Sequence, residues 1–153
     1  MEGSESIKLF CEKTGIGFEP DADGSLAFEA DGLRVTISEL HELDAIALVG
    51  DLGEPPPERL EGLYKALLGA NYMFGGTMGS TIALNPDDGR ITLCRAMPTS
   101  ALDVDQLCSQ LEHFLNTAET WRKIVSDYRE SDETAAGGDA AGAAPSSGDF
   151  LRV

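Results

Sequence analysis

From Val104 to Tyr128 the apolar positions recur at three- and four-residue steps: Val104, Leu107, Cys108, Leu111, Phe114, Leu115, Ala118, Trp121, Val125 and Tyr128. The repeat holds for about seven turns of one helix with a single apolar stripe, and such a helix is stable only against a surface that covers the stripe. The preceding sequence supplies that surface as strands. After Asp21-Ala22-Asp23-Gly24 the period changes to two, with Leu26 and Phe28 on one face, a tight turn at Asp31-Gly32, and Leu33, Val35 and Ile37 alternating with Arg34, Thr36 and Ser38. Asp44 to Val49 reads as a third strand, Ile46 and Leu48 facing one way and Ala45, Ala47 and Val49 the other, apolar enough for cover on both faces. A second hairpin pairs Ser80 to Leu84 with Arg90 to Met97 across Asn85-Pro86-Asp87-Asp88-Gly89, whose Pro, Asp and terminal Gly suit a type I turn.

Two more helices complete the pattern. Ile7, Phe10, Cys11 and Thr14 share one face of a short first helix that Gly15 stops. Pro57 is placed to open a second helix, where its missing N–H is harmless, and the stripe is Leu60, Leu63, Tyr64, Leu67, Leu68 and Asn71, ended by Met73-Phe74-Gly75-Gly76. Ser100 is the expected N-cap of the last helix, with Asp103 as the short arm of a capping box. The order α-β-β-β-α-β-β-α defines an α+β domain, a twisted antiparallel sheet with helices packed on it, over residues 1–130. Residues 131–153 read as a disordered, acidic Ala/Gly/Ser-rich tail, too poor in apolar surface to offset the entropy of ordering. Its final Leu151-Arg152-Val153 reads as a frayed end, with capture by a peptide-binding groove as the lesser alternative.

Charge narrows the function. With 27 acidic against 11 basic residues the formal net charge is -16, a field that repels phosphate and anionic lipid, so nucleic acid is not an expected partner. Membrane insertion is not expected either, because no apolar run approaches the roughly 20 residues a bilayer crossing needs. Met1-Glu2-Gly3-Ser4-Glu5 has neither the basic nor the apolar region of a signal peptide, and three widely spaced cysteines (Cys11, Cys94, Cys108) suit a reducing compartment, the cytoplasm. Cys94 and Cys108 fall in apolar periodic segments and read as small buried hydrophobes.

Reactive constellations are missing from the pattern. Asp21-Ala22-Asp23-Gly24 has its glycine at the wrong place for a calcium loop, and Gly32 stands where the bidentate glutamate belongs. Gly75 to Thr81 is glycine-rich but lacks a Gly-Lys-Ser/Thr ending, and neither His41 nor His113 has a second ligand at helical spacing. Asp87 and Asp88, adjacent on a hairpin tip, diverge into solvent instead of flanking a substrate. The expectation is a binding protein, with no catalysis, no metal and no cofactor.

Two segments carry a family resemblance. Thr81-Ile82-Ala83-Leu84-Asn85-Pro86-Asp87-Asp88-Gly89-Arg90-Ile91-Thr92-Leu93 is similar to the second hairpin of the class I type III secretion chaperones, the Tir-chaperone group. Leu102-Asp103-Val104, continued by Leu107, Leu111, Phe114, Ala118, Glu119 and Trp121, resembles the last helix of that family. With the element order, size and acidity, the likeness covers about Ser4 to Tyr128. It implies a cytosolic homodimer that binds the N-terminal chaperone-binding segment of a secreted effector, keeps it non-globular and secretion-competent, and presents it to the secretion apparatus, with the secretion ATPase as a further partner. It implies an effector groove on the first helix and first three strands, here Ile7, Phe10, Leu26, Phe28, Val35 and Ile37, some of which must fill the core because a strand shows only alternate residues to one face. It implies a dimer interface on the second helix and the following hairpin, so that Leu60, Leu63, Tyr64, Leu67, Leu68 and Asn71 are shared between core and partner. The alternative is a regulatory binding protein of the same fold that sequesters a regulator of secretion gene expression.

Overall fold

A computed structural model describes residues 3–136, with side chains placed for residues 3–130. The elements are α1 (Gly3–Thr14), β1 (Leu26–Ala30), β2 (Leu33–Leu40), β3 (Ala45–Gly53), α2 (Leu60–Asn71), β4 (Thr81–Leu84), β5 (Ile91–Pro98) and α3 (Val104–Ala136). The strands form one antiparallel five-stranded sheet in the order β1-β2-β3-β5-β4. Pairing of β3 with β5 fuses the two hairpins, and β1 and β4 are left as the sheet edges.

Turn chemistry fixes both hairpins. Ala30 pairs with Leu33 across Asp31 and Gly32, whose φ values of 51° and 75° are those of a type I′ turn, the form whose twist matches the flanking strands. In the second hairpin the Gly89 N–H donates to the Asn85 carbonyl at 2.8 Å, while the Asn85 and Asp88 side chains accept from the N–H groups of Asp87 and Arg90, each at 2.9 Å.

One sheet face is covered. Leu33, Val35, Ile37, Ile46, Leu48, Leu52, Ile91, Leu93 and Met97 join Ile7 and Phe10 of α1 and Leu107, Phe114, Ala118, Trp121 and Val125 of α3 in a single core. Gly50 lies where α3 crosses β3: a Cβ there would stand 3.2 Å from the Phe114 ring, so any larger residue would require that ring to shift. The other face carries Thr36, Ser38, Ala47, Val49 and Cys94, all half-buried. β3 is therefore covered on one side by this chain and not on both, as antiparallel sheets allow.

Three boundaries differ from the sequence expectation. Pro57 lies outside α2, which begins at Leu60 after Arg59 takes a left-handed turn (φ 57°). Ser100 belongs to a 3-10 turn, Thr99–Ala101, and the cap of α3 is Asp103. Its carboxylate accepts from the Gln106 N–H while the Gln106 amide oxygen accepts from the Asp103 N–H, both at 2.8 Å, a reciprocal box with glutamine as the long arm. The helix then runs to Ala136, so residues 131–136, assigned to the tail, are helical; the remainder of the expected tail lies outside the described residues. Cys94 and Cys108 are half-buried, whereas Cys11 is buried, which pushes its thiol above the ordinary value.

Candidate binding site at the open sheet edge

A sheet edge carries a row of backbone groups without strand partners, and the two edges of this sheet are treated differently. At β4 the Asn71 amide, at the end of α2, donates from Nδ2 to the Ile82 carbonyl at 2.9 Å and accepts on Oδ1 from the Ile82 N–H at 2.8 Å. One side chain thus takes the place of a sixth strand at Ile82, while Leu84, two residues on and 46% exposed, lies on the same outward register. At β1 the two-residue turn makes Ala30 and Leu33 a hydrogen-bonded pair, so alternation aims the N–H and C=O groups of Ala27 and Glu29 away from β2. Among the described residues no loop or side chain takes these groups up, and both residues are exposed.

Three apolar side chains of β1, α1 and the segment between them reach the surface. Phe28 is half-buried with its ring centroid 6.1 Å from that of Phe10, Leu9 on α1 is 36% exposed, and Phe18, between α1 and β1, is 43% exposed. Helix α1 is pinned at both ends. The Glu39 carboxylate accepts from the N–H groups of Gly3 and Ser4, each at 2.9 Å, where a negative charge also complements the helix dipole, and Lys13 pairs with Asp105 of α3. Helix α1 is thereby fixed against β2 and α3.

The residues expected to line an effector groove are placed otherwise. Ile7, Phe10, Leu26, Val35 and Ile37 are at most 2% exposed and belong to the core; of the expected set only Phe28 reaches the surface. The reason is parity: the strand face that holds Leu26, Val35 and Ile37 is the one α1 and α3 cover, so these side chains carry the core beneath the edge and offer no accessible surface. Leu9 and Phe18 went unassigned, although each had a signal: Leu9 falls off the buried stripe of α1, and Phe18 is an aromatic in the glycine-containing stretch Gly15-Ile16-Gly17-Phe18.

The second helix divides in the same way. Leu63 and Leu67 are buried in the core, Leu60 and Tyr64 are half-buried, Asn71 is occupied by β4, and only Leu68, 69% exposed, faces outward in full. The outward surface continues past α2 instead, through Tyr72 (75%), Met73 (77%), Phe74 (58%) and Met78 (64%). Left-handed φ values at Met73 and Phe74 turn this stretch outward, and the Gly76 carbonyl, accepting from the Trp121 indole N–H at 2.8 Å, ties it to α3. A groove of about 510 Å³ lies alongside, lined by Met78, Arg95, His113, Thr117 and Trp121.

Ionisable groups here serve structure. Hydrogen bonds from the Ser25 hydroxyl and N–H hold the exposed Asp23 carboxyl below its ordinary value. Asp51 accepts from the Arg90 guanidinium at 2.9 Å and keeps it charged, against the opposing effect of burial, and Glu54 joins Arg90 to Arg129. Asp87 and Asp88 are both exposed at the hairpin tip. Among the described residues no His, Cys, Asp and Glu cluster could hold a metal ion, and no helix is long and apolar enough to cross a membrane.

The described residues define a small α+β protein whose sheet ends in the open strand β1 and which exposes an apolar stretch from Leu68 to Met78. The Tir chaperone protein (CesT) family profile matches residues 5–122, well over half of the chain, and the chain belongs to that family. No curated protein matches it in sequence. Among solved structures it is similar to a chain of the ExsC-ExsE complex (TM-score 0.68, 18% identity, 80% of this chain and 92% of that one). A chain of the HopA1-SchA chaperone-effector complex matches at TM-score 0.60 and 17% identity, over 78% of this chain and 95% of that one. A chain of the ExoU-SpcU heterodimeric complex of the type III secretion system of Pseudomonas aeruginosa matches at TM-score 0.56 and 21% identity, over 81% and 95%. At these identities the likeness is one of fold.

Proposed function

We propose that this protein is a cytoplasmic type III secretion chaperone, without enzymatic activity or cofactor, that holds the N-terminal segment of a secreted effector in extended form along β1. The observation that supports the reading is the β1 edge, which presents the Ala27 and Glu29 backbone groups outward on either side of the half-buried Phe28, whereas at β4 the Asn71 amide takes up both backbone groups of Ile82. Backbone pairing supplies affinity without demanding a particular sequence, and the neighbouring apolar side chains take alternate residues of the ligand. The second apolar surface, Leu68 with Tyr72, Met73, Phe74 and Met78, serves a homodimer, and the secretion ATPase is a further partner in the same reading.

Affinity capture of the full chain from its native host, with mass identification and sizing of what accompanies it, tests this. The expected result is a secreted protein held by its N-terminal region at two chaperone chains per effector. Ala27→Pro in the full chain is the control for the edge: Ala27 directs its N–H away from β2, so proline removes an outward donor without breaking the hairpin, and the captured protein should fall at least about tenfold. Recovery of a regulator of secretion gene expression alone would move the function to the alternative reading, and undiminished capture by Ala27→Pro would move the site away from β1.

A further inference from the structure

We infer that the groove between α3 and the turn after α2 docks an extended segment of a partner protein, one that carries a single carboxylate near large apolar side chains. The carboxylate lies on Arg95 and the apolar groups on Trp121 and Met78. The inference does not depend on β1 being the effector edge, and the apolar stretch proposed for the dimer shares only Met78 with this groove.

Arg95 is out of place in its strand. Strand β5 turns Ile91, Leu93, Arg95 and Met97 to the sheet face that the helices cover, since Arg95 pairs with Leu48 of β3 and Leu48 belongs to the core. Three of the four are apolar and at most 5% exposed, and the fourth is a half-buried arginine. A charge partly removed from water is ordinarily matched by its opposite. Arg90 has Asp51 and Glu54, and Arg129 has Glu54. Among the described residues no carboxylate meets Arg95, whose guanidinium donates from Nη1 to the Met78 carbonyl at 3.2 Å and keeps its other N–H groups for a further acceptor.

The groove beside Arg95, about 510 Å³, is lined without a single carboxylate, in a chain where acids outnumber bases 27 to 11. Gln110, His113, Asn116, Thr117 and Thr120 form its polar wall on α3, and Trp121 and Met78 its apolar part. The other grooves would repel an acid locally: Asp31 and Glu119 line the one at the first hairpin turn, Glu5, Glu39 and Asp44 the one at the start of α1, and Asp51 and Asp88 the one on the open sheet face. A run of acids would be driven off by the net charge of -16, so one carboxylate is the charge that fits. The planar fork of an arginine matches it with two parallel hydrogen bonds. The Trp121 indole is held by the Gly76 carbonyl at 2.8 Å, so the apolar part is ordered before a ligand arrives.

Trp121 is the single tryptophan of the chain, and its fluorescence reports on this groove directly. The probe is the blocked peptide Ala-Leu-Ala-Glu-Ala-Leu-Ala, whose alternation puts the carboxylate and both leucines on one face when extended. Titrated into the full chain it should give a saturable change, and the same peptide with glutamine for glutamate should bind about tenfold more weakly, the size of a charge-assisted hydrogen bond. An Arg95→Gln chain should bind both peptides alike, at the weaker level. The Arg95 Nε–H resonance of the unaltered chain, shifted by the glutamate peptide and not by the glutamine one, gives the same reading without any variant having to fold. No saturable change, or equal affinity of the unaltered chain for the two peptides, would overturn the inference. Discrimination that survives Arg95→Gln would overturn it by moving the carboxylate to another group. A Trp121 signal that responds to dilution of the chain but not to peptide would overturn it by giving the groove to a second copy.

Discussion

Asn71 caps the β4 edge at a single residue. Its amide has a donor and an acceptor spaced like those of a peptide group, and both are spent on Ile82, a residue only 6% exposed. Asn71→Ala leaves those backbone groups partnerless in a nearly dry position, which costs about 1–3 kcal/mol. Urea unfolding should show a lower midpoint at unchanged slope, and the variant should self-associate more readily because more of the β4 edge is open. Asp23 makes a different residue-scale prediction. Its folded pKa is depressed, so its contacts with Ser25 steady the turn above the unfolded value and are lost as pH falls through the folded one. Ser25→Ala removes the side-chain hydrogen bond, the largest cause, but keeps the backbone one, so the Asp23 titration followed by NMR should move upward towards the ordinary carboxylate range. Thiol chemistry sorts the cysteines by burial: Cys94 and Cys108, half-buried, should react with a thiol reagent well before Cys11, which is buried and kept protonated.

At the scale of the element, α3 depends on its first turn. The Asp103–Gln106 box satisfies two N–H groups that otherwise face water, and Asp103→Ala should cost about 1 kcal/mol. Ser100→Ala, outside the helix, should change stability little; a thermal melt of both variants checks the pair. The cap was misplaced in sequence because a serine and an aspartate both stand before the apolar stripe, and only the turn at Thr99–Ala101 decides between them. Elsewhere the elements were readable from local chemistry. Asp31-Gly32 between alternating runs dictates the first hairpin, Asn85 to Gly89 the second, and the three- and four-residue repeat the long helix. The binding surface was less legible, since it depends on which strand face the helices cover and which edge is left over. Val35 and Ile37 look the same in sequence whether they line a groove or a core, and the Asn71 cap on β4 joins residues 11 positions apart through a fold that no local period encodes.

At the scale of the molecule, charge and apolar surface oppose one another. A protomer of formal charge -16 stays apart from its copies unless contact removes enough apolar area. The surface from Leu68 through Tyr72, Met73, Phe74 and Met78 has the character for such a contact, since five large apolar side chains are each more than half exposed within one short stretch. If two copies meet there, their mutual repulsion acts over tens of ångströms at low ionic strength and is screened beyond about 10 Å at 0.1 M salt. The apolar attraction is not screened, so added salt should tighten the dimer. Sizing of the full chain over a dilution series should give twice the chain mass, with the dissociation midpoint moving to lower protein concentration as salt is raised from about 0.02 to 0.5 M. Met73→Glu places a charge on a side chain 77% exposed in the protomer, so folding should be preserved while the dimer is lost. A dimer that salt dissociates would mean that ion pairs, not this apolar stretch, hold the copies together. A Met73→Glu chain that still elutes at double mass would place the interface elsewhere on the protein, with the half-buried face of the sheet around Thr36, Ala47, Val49 and Cys94 as the next surface to substitute.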